Sequence, residues 1–123
     1  MITASVDEYL AIRLLIEFIA ADGSRHKVPF IFDTGFSERL SLPPRTIAAL
    51  GYLQSSKDDI TLGDGQEIEV QIYNGRVIWD GQEMDVPIHS LDGDALLGMQ
   101  QAEGYTITIP ARFNETVTFV PLP

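Results

Sequence analysis

An aspartate directly follows a run of bulky apolar residues in the segment FIFDTGFSERLSL. Phe30–Phe32 predict a buried strand, and Asp33, Thr34 and Gly35 interrupt the run. An aspartate at this position can form an Asx turn, in which its side chain bonds to the backbone two residues further on. It can also be a catalytic carboxylate at the edge of a core, where an unpaired charge is costly unless it is used. The tripeptide alone leaves both interpretations open.

Other catalytic and metal-binding patterns are weak in this chain. It has no cysteine, which excludes disulfides, thiolate metal sites and cysteine nucleophiles. The two histidines, His26 and His89, are far apart in sequence, and we expect surface or edge-strand positions for them instead of a metal site. The acidic turn at 63–67 lacks the alternating oxygen ligands of a calcium loop, and no G-x-S-x-G nucleophile elbow is present. We therefore predict no metal and no cofactor.

Length and charge restrict the class of protein. A chain of 123 residues with 45% hydrophobic and 21% charged residues predicts one globular domain, residues 1–123. The formal net charge of −10 argues against nucleic acid and membrane surfaces as partners, because both require clustered positive charge. Arg13 and Glu17 interrupt the longest apolar stretch, and the N-terminal MITASVDEYL lacks the features of a secretory signal. These observations predict a cytoplasmic protein.

Short apolar segments separated by Asx-Gly turns predict a mostly β fold, and Asp22-Gly23 and Asp80-Gly81 are two of these predicted turns. Segments 12–19 and 27–33 are expected to form a hairpin around Asp22-Gly23, although the composition of the first segment also permits a helix. Pro44 opens the one convincing helix, and Gly51 suits the left-handed position that ends it. Further strands are predicted at 84–88, 105–109 and 117–120.

A second predicted hairpin has a glycine-rich tip. Its arms are the alternating segments 60–62 and 68–72, and Gly63-Asp64-Gly65 is the tip. Beyond residue 72 the apolar positions change phase, which predicts a bulge or turn at Asn74-Gly75.

Three blocks of sequence follow one another in a characteristic order: apolar-apolar-Asp-Thr-Gly before a helix, then the glycine-tipped hairpin, then apolar-apolar-Gly. They are VPFIFDTGFSERLSLPPRTIAALGY, ITLGDGQEIEVQIYNGRVIWDGQ and LLGMQQAEGYTITI. Together they cover nearly the whole chain and resemble the retropepsin-like aspartic proteases (clan AA), in particular their short bacterial single-domain members. The resemblance implies a retropepsin-like closed β-barrel half-domain with one or two short helices, assembled as a two-fold homodimer.

The resemblance further implies an aspartic endopeptidase that acts on a peptide or protein substrate. The chain contains a single Asp-Thr-Gly, so each subunit would supply half of an active site and the two Asp33 carboxylates would form the catalytic pair. Two carboxylates at short range share one proton. The ionised one can activate a water, and the protonated one can hydrogen-bond the scissile carbonyl.

The resemblance also assigns roles to individual residues. Thr34 would hydrogen-bond across the two-fold axis, the hairpin tip would close as a flap, and the segment 117–121 would pair with the partner subunit. The implied catalytic residues are Asp33, Thr34 and Gly35; the substrate-binding residues are Phe36, Ser37, Leu62, Gly63, Asp64 and Gly65; and the supporting residues are Leu96, Leu97 and Gly98. Phe36 and Met99 depart from retroviral members, which usually carry an alanine and a polar residue there.

Two other interpretations stay open. In the first, the chain is a proteolytically inactive dimeric β-module that binds extended peptides in the same groove. In the second, it is a monomer in which Asp33 is only a turn residue. Loss of cleavage in an Asp33→Asn variant argues against both, and a monomeric mass at high concentration favours the second.

Overall fold

The computed structural model describes residues 1–123 and contains ten β-strands and one α-helix. The mostly β class predicted from the sequence is confirmed. The strands are β1 (Ile2–Val6), β2 (Ile12–Ile19), β3 (Arg25–Phe32), β4 (Leu40–Leu42), β5 (Gln54–Thr61), β6 (Glu67–Trp79), β7 (Gln82–Ser90), β8 (Leu96–Leu97), β9 (Tyr105–Thr108) and β10 (Thr116–Pro121), and the helix is α1 (Pro44–Leu50). No helix of the structure has the length and apolar character that crossing a membrane requires.

All ten strands belong to one sheet, in the order β5-β6-β7-β4-β8-β3-β2-β1-β10-β9. A further pairing places Glu17 and Phe18 of β2 opposite Ile78 and Val77 of β6. It joins the six strands from β6 to β2 in that order into a ring of pairings. Two pairs are parallel, β3 with β8 and β4 with β7. The short strand β8 therefore lies directly beside the end of β3.

The turns and the helix follow the local sequence signals. Asp22-Gly23 connects β2 to β3, and Asp80-Gly81 connects β6 to β7 with φ angles of 49° and 80°. Two left-handed residues make the type I′ turn, whose twist matches that of the flanking strands. Helix α1 begins at Pro44 and ends before Gly51, which has a φ of 78°. The predicted helix and both predicted turns are confirmed.

Strand β6 runs without interruption from Glu67 to Trp79, so the predicted bulge or turn at Asn74-Gly75 is wrong. Its pairing with β7 has no register break between Ile72 and Trp79. The apolar positions change phase because the two halves of β6 bury different faces. One face is buried in the half that pairs with β5, and the opposite face is buried in the half that pairs with β2 and belongs to the ring. The irregularity lies in β5 instead, whose register against β6 shifts between Gln54 and Ser56.

The core fixes the strand that leads to Asp33. Phe30 stacks on Phe18 of β2 with ring centroids 5.7 Å apart, and Phe32 meets Phe119 of β10 edge to face at 5.2 Å. These rings belong to a cluster of 21 buried residues. Aromatic pairs of this geometry stabilise a fold by about 0.5–1.5 kcal/mol beyond the area they bury. The backbone of β3 is consequently anchored up to the residue that precedes Asp33.

The two terminal strands pair with each other. Ile2–Ser5 of β1 lie opposite Thr116–Phe119 of β10, and β10 pairs on its other side with β9. Strand β1 was not predicted from the sequence: Ile2, Ala4 and Val6 do alternate with Thr3 and Ser5, but five residues with an alanine at the centre give a short and weakly apolar signal. Thr118 and Phe119 are paired on both sides within the chain, whereas Val120 and Pro121 are paired with β9 alone. The pairing of 117–121 with a partner subunit stays a prediction.

Candidate active site

Asp33 is placed by strand β8. The parallel pairing sets Phe32 opposite Leu97, and the backbone N–H of Asp33 donates to the carbonyl of Leu97 at 2.9 Å. The N–H of Phe36 then donates to the Asp33 carbonyl at 3.1 Å, which closes a tight turn. The position of Asp33 is therefore set by main-chain bonds on both sides of the residue.

The Asp33 side chain forms the Asx turn considered in the sequence analysis. Its Oδ1 accepts a hydrogen bond from the N–H of Gly35 at 2.8 Å, and its Oδ2 makes no hydrogen bond within the chain. Asp33 is half-buried, whereas Thr34 and Gly35 are exposed. The turn interpretation and the catalytic interpretation are thus compatible, because the turn uses one carboxylate oxygen and leaves the other free.

Gly98 lies in close contact with the segment that follows Asp33. A Cβ on Gly98 would lie 1.9 Å from the carbonyl oxygen of Glu38 and 2.8 Å from that of Phe36. The N–H of Gly98 donates to Arg39 at 2.8 Å, and the N–H of Met99 donates to Phe36 at 2.9 Å. Only a residue without a side chain allows this approach. Leu97 beside it is fully buried and Leu96 is half-buried.

The tip of the β5–β6 hairpin is well formed and exposed. The N–H of Leu62 donates to Gln66 at 2.7 Å, and that of Gly65 donates to Leu62 at 2.9 Å. The carboxylate of Asp64 accepts from the N–H of Gln66 at 2.9 Å, so the acidic residue stabilises the turn. Gly63, Asp64 and Gly65 are exposed, and Leu62 is half-buried.

A groove of about 270 Å³ separates the segment after Asp33 from the first arm of this hairpin. We call it the β5 groove; it is lined by Gly35, Phe36, Ser37 and Glu38 on one side and by Asp59, Ile60 and Thr61 on the other. The structure therefore brings Gly35, Phe36 and Ser37 together with the arm of the hairpin, whereas the tip residues do not line the groove. A larger depression of about 440 Å³ lies over β1 and β2, and Asp33 does not line it.

His89 is buried, not at the surface or on an edge strand as predicted. It lies in β7 between β4 and β6, opposite Ser41 and Ile72, and only 2% of it is exposed. Its Nε2 lies 3.6 Å from Asp58 Oδ2 and 3.9 Å from Glu38 Oε2. We call these three residues the His89 cluster. Sequence reasoning missed it because its members come from three separate segments that only the strand pairings bring together.

Comparison with known proteins identifies the fold. No protein-family model matches the chain, and no curated protein does. The structure is similar to a crystal structure of a retropepsin-like aspartic protease from Rickettsia conorii, with a TM-score of 0.59 and 18% sequence identity. The match covers 96% of this chain and 87% of the other. The chain therefore has the retropepsin-like fold that the three sequence blocks predicted.

Proposed function

We propose that this chain, which has the retropepsin-like fold, is an aspartic-type endopeptidase that works as a two-fold homodimer. Residues 1–123 form one domain that supplies half of the active site. The observation that carries the proposal is the state of Asp33: its backbone is fixed by Leu97, one carboxylate oxygen is tied to Gly35, and the other is free. A fold alone does not imply a function, so the catalytic role is proposed from the free carboxylate oxygen of Asp33.

The reaction follows from two such carboxylates facing each other. They hold one proton between them, because like charges at short range do not both ionise. The ionised Asp33 accepts a proton from a water, whose oxygen bonds to the carbonyl carbon of the substrate while the protonated Asp33 hydrogen-bonds the carbonyl oxygen. The C–N bond then breaks, and the amide nitrogen takes a proton from the pair. Neither a covalent intermediate nor a metal takes part in these steps.

The remaining site residues position the substrate and the catalytic turn. Thr34, which is exposed, hydrogen-bonds the matching turn of the partner, and Gly35 admits the substrate backbone. Phe36 and Ser37 form one wall of the substrate groove, and Leu62, Gly63, Asp64 and Gly65 form a flap that closes over an extended peptide. Leu96, Leu97 and Gly98 support the catalytic turn from behind.

The subunit interface includes the turn between β1 and β2. Strands β2 and β3 pair antiparallel with Arg13 opposite Ile31, so the preceding turn lies beside the end of β3, next to Asp33. Tyr9 and Leu10 in this turn are 82% and 59% exposed, which is unusual for adjacent large apolar side chains. Burial of this pair against a second subunit covers them and brings the two Asp33 turns together.

Cleavage of an unfolded protein tests the proposal. We expect wild type to cleave between about pH 3 and neutrality, with an acidic optimum because the carboxylate pair works with one shared proton. Asp33→Asn keeps the oxygen that accepts the Gly35 N–H but loses the charge, so cleavage is expected to disappear while the fold is retained. Asp92→Asn, a change in an exposed turn, is the matched control and is expected to cleave like wild type.

The mass of each sample, measured at the same concentration, completes the experiment. Cleavage by Asp33→Asn equal to wild type contradicts the proposal. A dimeric mass with no cleavage by either protein favours the peptide-binding module, and a monomeric mass with no cleavage favours Asp33 as a turn residue only.

A further inference from the structure

His89 is a buried polar side chain without a hydrogen-bond partner. Neither Nδ1 nor Nε2 is bonded to any group of the chain, although both atoms are shielded from solvent. An unpaired buried polar group destabilises a fold, because it loses its hydrogen bonds to water and gains none in return. Its neighbours do not relieve this cost: Phe36 packs against the ring edge to face at 6.1 Å, and an aromatic ring offers no strong acceptor. The imidazole is therefore held in place without a partner to bond.

Two carboxylates face the same nitrogen at distances too long for hydrogen bonds. Asp58 Oδ2 is 3.6 Å and Glu38 Oε2 is 3.9 Å from His89 Nε2, against about 2.7–3.2 Å for a hydrogen bond. The second oxygen of Asp58 accepts the N–H of Asp59 at 2.9 Å, which turns Oδ2 toward the histidine. No arginine or lysine pairs with either carboxylate. One histidine nitrogen and one oxygen from each of two carboxylates thus converge on one point.

We propose that the His89 cluster binds a divalent transition-metal ion, with Zn²⁺ as the best fit. The three ligand atoms are one nitrogen of His89 and one carboxylate oxygen each from Glu38 and Asp58. These atoms all lie within 4.8 Å of one another. Tetrahedral zinc has bonds of about 2.0–2.2 Å, which places its ligand atoms about 3.3 Å apart. Glu38 and Asp58 are partly exposed and can close the remaining distance by side-chain rotation. Water supplies the fourth ligand.

The ligand types select among metals. Imidazole nitrogen binds Zn²⁺ and its transition-metal neighbours, whereas Ca²⁺ and Mg²⁺ prefer sites made entirely of oxygen. Nδ1 of His89 lacks the carbonyl or carboxylate partner that usually orients a metal-binding histidine. We therefore expect an affinity below that of structural zinc sites, and a metal that exchanges with the surrounding solution.

The metal would connect the edge strand β5, which pairs with β6 alone, to the segment that follows Asp33. Asp58 lies in the outer arm of the β5–β6 hairpin, and Glu38 lies in the segment that Gly98 holds against the Asp33 turn. His89 belongs to the sheet between them. A bound ion therefore fixes β5 to the wall of the β5 groove, whether or not the chain cleaves peptides.

Titration calorimetry with Zn²⁺ on the full chain, after treatment with a chelator, tests the site directly. We expect one ion per chain. Asp58→Asn, Glu38→Gln and His89→Asn are each expected to weaken binding by at least about tenfold, since even the loss of a residue that only hydrogen-bonds a metal ligand costs about 10–100-fold. Asp59→Asn, a neighbouring carboxylate outside the cluster, and His26→Asn, the other histidine, are controls that should bind like wild type.

Hydrogen exchange of β5 is the second readout, and it requires no peptide cleavage. Zn²⁺ should slow exchange of residues 54–61 in wild type but not in Asp58→Asn. Asp58 is exposed, so this variant should fold even if His89→Asn does not. The proposal is overturned by absence of Zn²⁺ binding to wild type, by Asp58→Asn and Glu38→Gln binding as tightly as wild type, or by Ca²⁺ binding equally well. Binding without any slowing of exchange in β5 overturns the proposed connection to the hairpin.

Discussion

Asp33 shows how one short side chain can hold a turn and still leave an oxygen free for the chemistry proposed here. Its Oδ1 satisfies the N–H of Gly35, and its own N–H is satisfied by Leu97. Both bonds orient the carboxylate, and neither uses Oδ2. Catalytic groups need this kind of fixed orientation, because small displacements from the productive geometry reduce rates strongly. The Asx turn is therefore compatible with the catalytic role proposed for Asp33, because it leaves Oδ2 unbonded.

Gly98→Ala should disturb the packing of the segment that follows Asp33. The new Cβ would lie within 2.8 Å of three backbone atoms of Glu38 and Phe36, none of which can rotate away. We expect a loss of at least about 1–3 kcal/mol of folding free energy, the usual range for an overpacked site. The midpoint of urea unfolding measures it. Gly63→Ala, where a Cβ has nothing within 4 Å, is the matched control and should change the midpoint little. Equal midpoints for both variants would contradict the close packing.

Some of the site residues could be predicted from the sequence and others could not. Asp33, Thr34 and Gly35 are contiguous, so the sequence displays the motif directly. The His89 cluster is invisible in sequence because Glu38, Asp58 and His89 meet only through the register of β4, β5, β6 and β7. From the sequence alone, a single histidine is expected near the surface because its side chain is polar, whereas His89 is buried. Burial without a hydrogen-bond partner becomes evident only in three dimensions.

At the level of elements, the β1–β2 turn is held by one carboxylate. Asp7 accepts the N–H groups of Tyr9 and Ala11, each at 2.9 Å, and the guanidinium of Arg13. The hydrogen bond from Arg13, followed by that from Ala11, lowers the pKa of Asp7 below its usual range. Because this turn contains Tyr9 and Leu10, the hydrogen bonds of Asp7 also help to position the proposed subunit interface.

Asp7→Asn should lower stability near neutral pH and have less effect in acid. A carboxylate whose pKa is lower in the folded state than in the unfolded state stabilises the fold above the unfolded pKa of about 3.9. That contribution disappears as the pH falls through the lowered pKa of the folded protein. The difference in urea midpoint between wild type and Asp7→Asn, measured from neutral pH downward, should therefore shrink below about pH 4. Glu8→Gln, an exposed neighbour, is the control. A difference that grows in acid would contradict this assignment.

The elements themselves were predictable where their signals are local. The turns at Asp22-Gly23 and Asp80-Gly81 and the helix from Pro44 to Gly51 depend on residues adjacent in sequence, and the sequence predicts them correctly. Strand β1 and the continuity of β6 depend on distant partners: β1 is a strand because β10 and β2 flank it. Asn74-Gly75 is extended because β6 pairs with β7 without a break from Ile72 to Trp79. Local strand propensity does not predict which distant strands will pair with β1 or with β6.

At the scale of the whole molecule, charge opposes the proposed assembly. Each chain carries −10, so a homodimer carries twice that charge. Repulsion between the two chains must be offset by burial of apolar groups such as Tyr9 and Leu10. Salt screens the repulsion and leaves apolar burial intact or strengthened.

The dimer fraction should consequently rise with ionic strength. We expect sedimentation velocity at a fixed chain concentration to show more dimer as NaCl increases from about 0.01 M to about 1 M, over which the Debye length falls from about 30 Å to about 3 Å. Tyr9→Ser is expected to reduce the dimer fraction at every salt concentration, whereas Leu53→Ser, a similarly exposed apolar position outside the proposed interface, should not. Dissociation on addition of salt would indicate an interface built on ion pairs and contradict this account.

The pairing of the first strand with the last has a consequence for the order in which the protein folds. Ile2 lies opposite Phe119, almost the full length of the chain away, whereas the β2–β3 and β6–β7 hairpins join neighbouring segments. Closing a long loop costs more entropy than closing a short one, and contacts distant in sequence slow folding. The hairpins should therefore form first, and β1 should close onto β10 last. Substitutions in β1 should then accelerate unfolding while leaving the folding rate nearly unchanged, and equal effects on both rates would show that the terminal strands meet early.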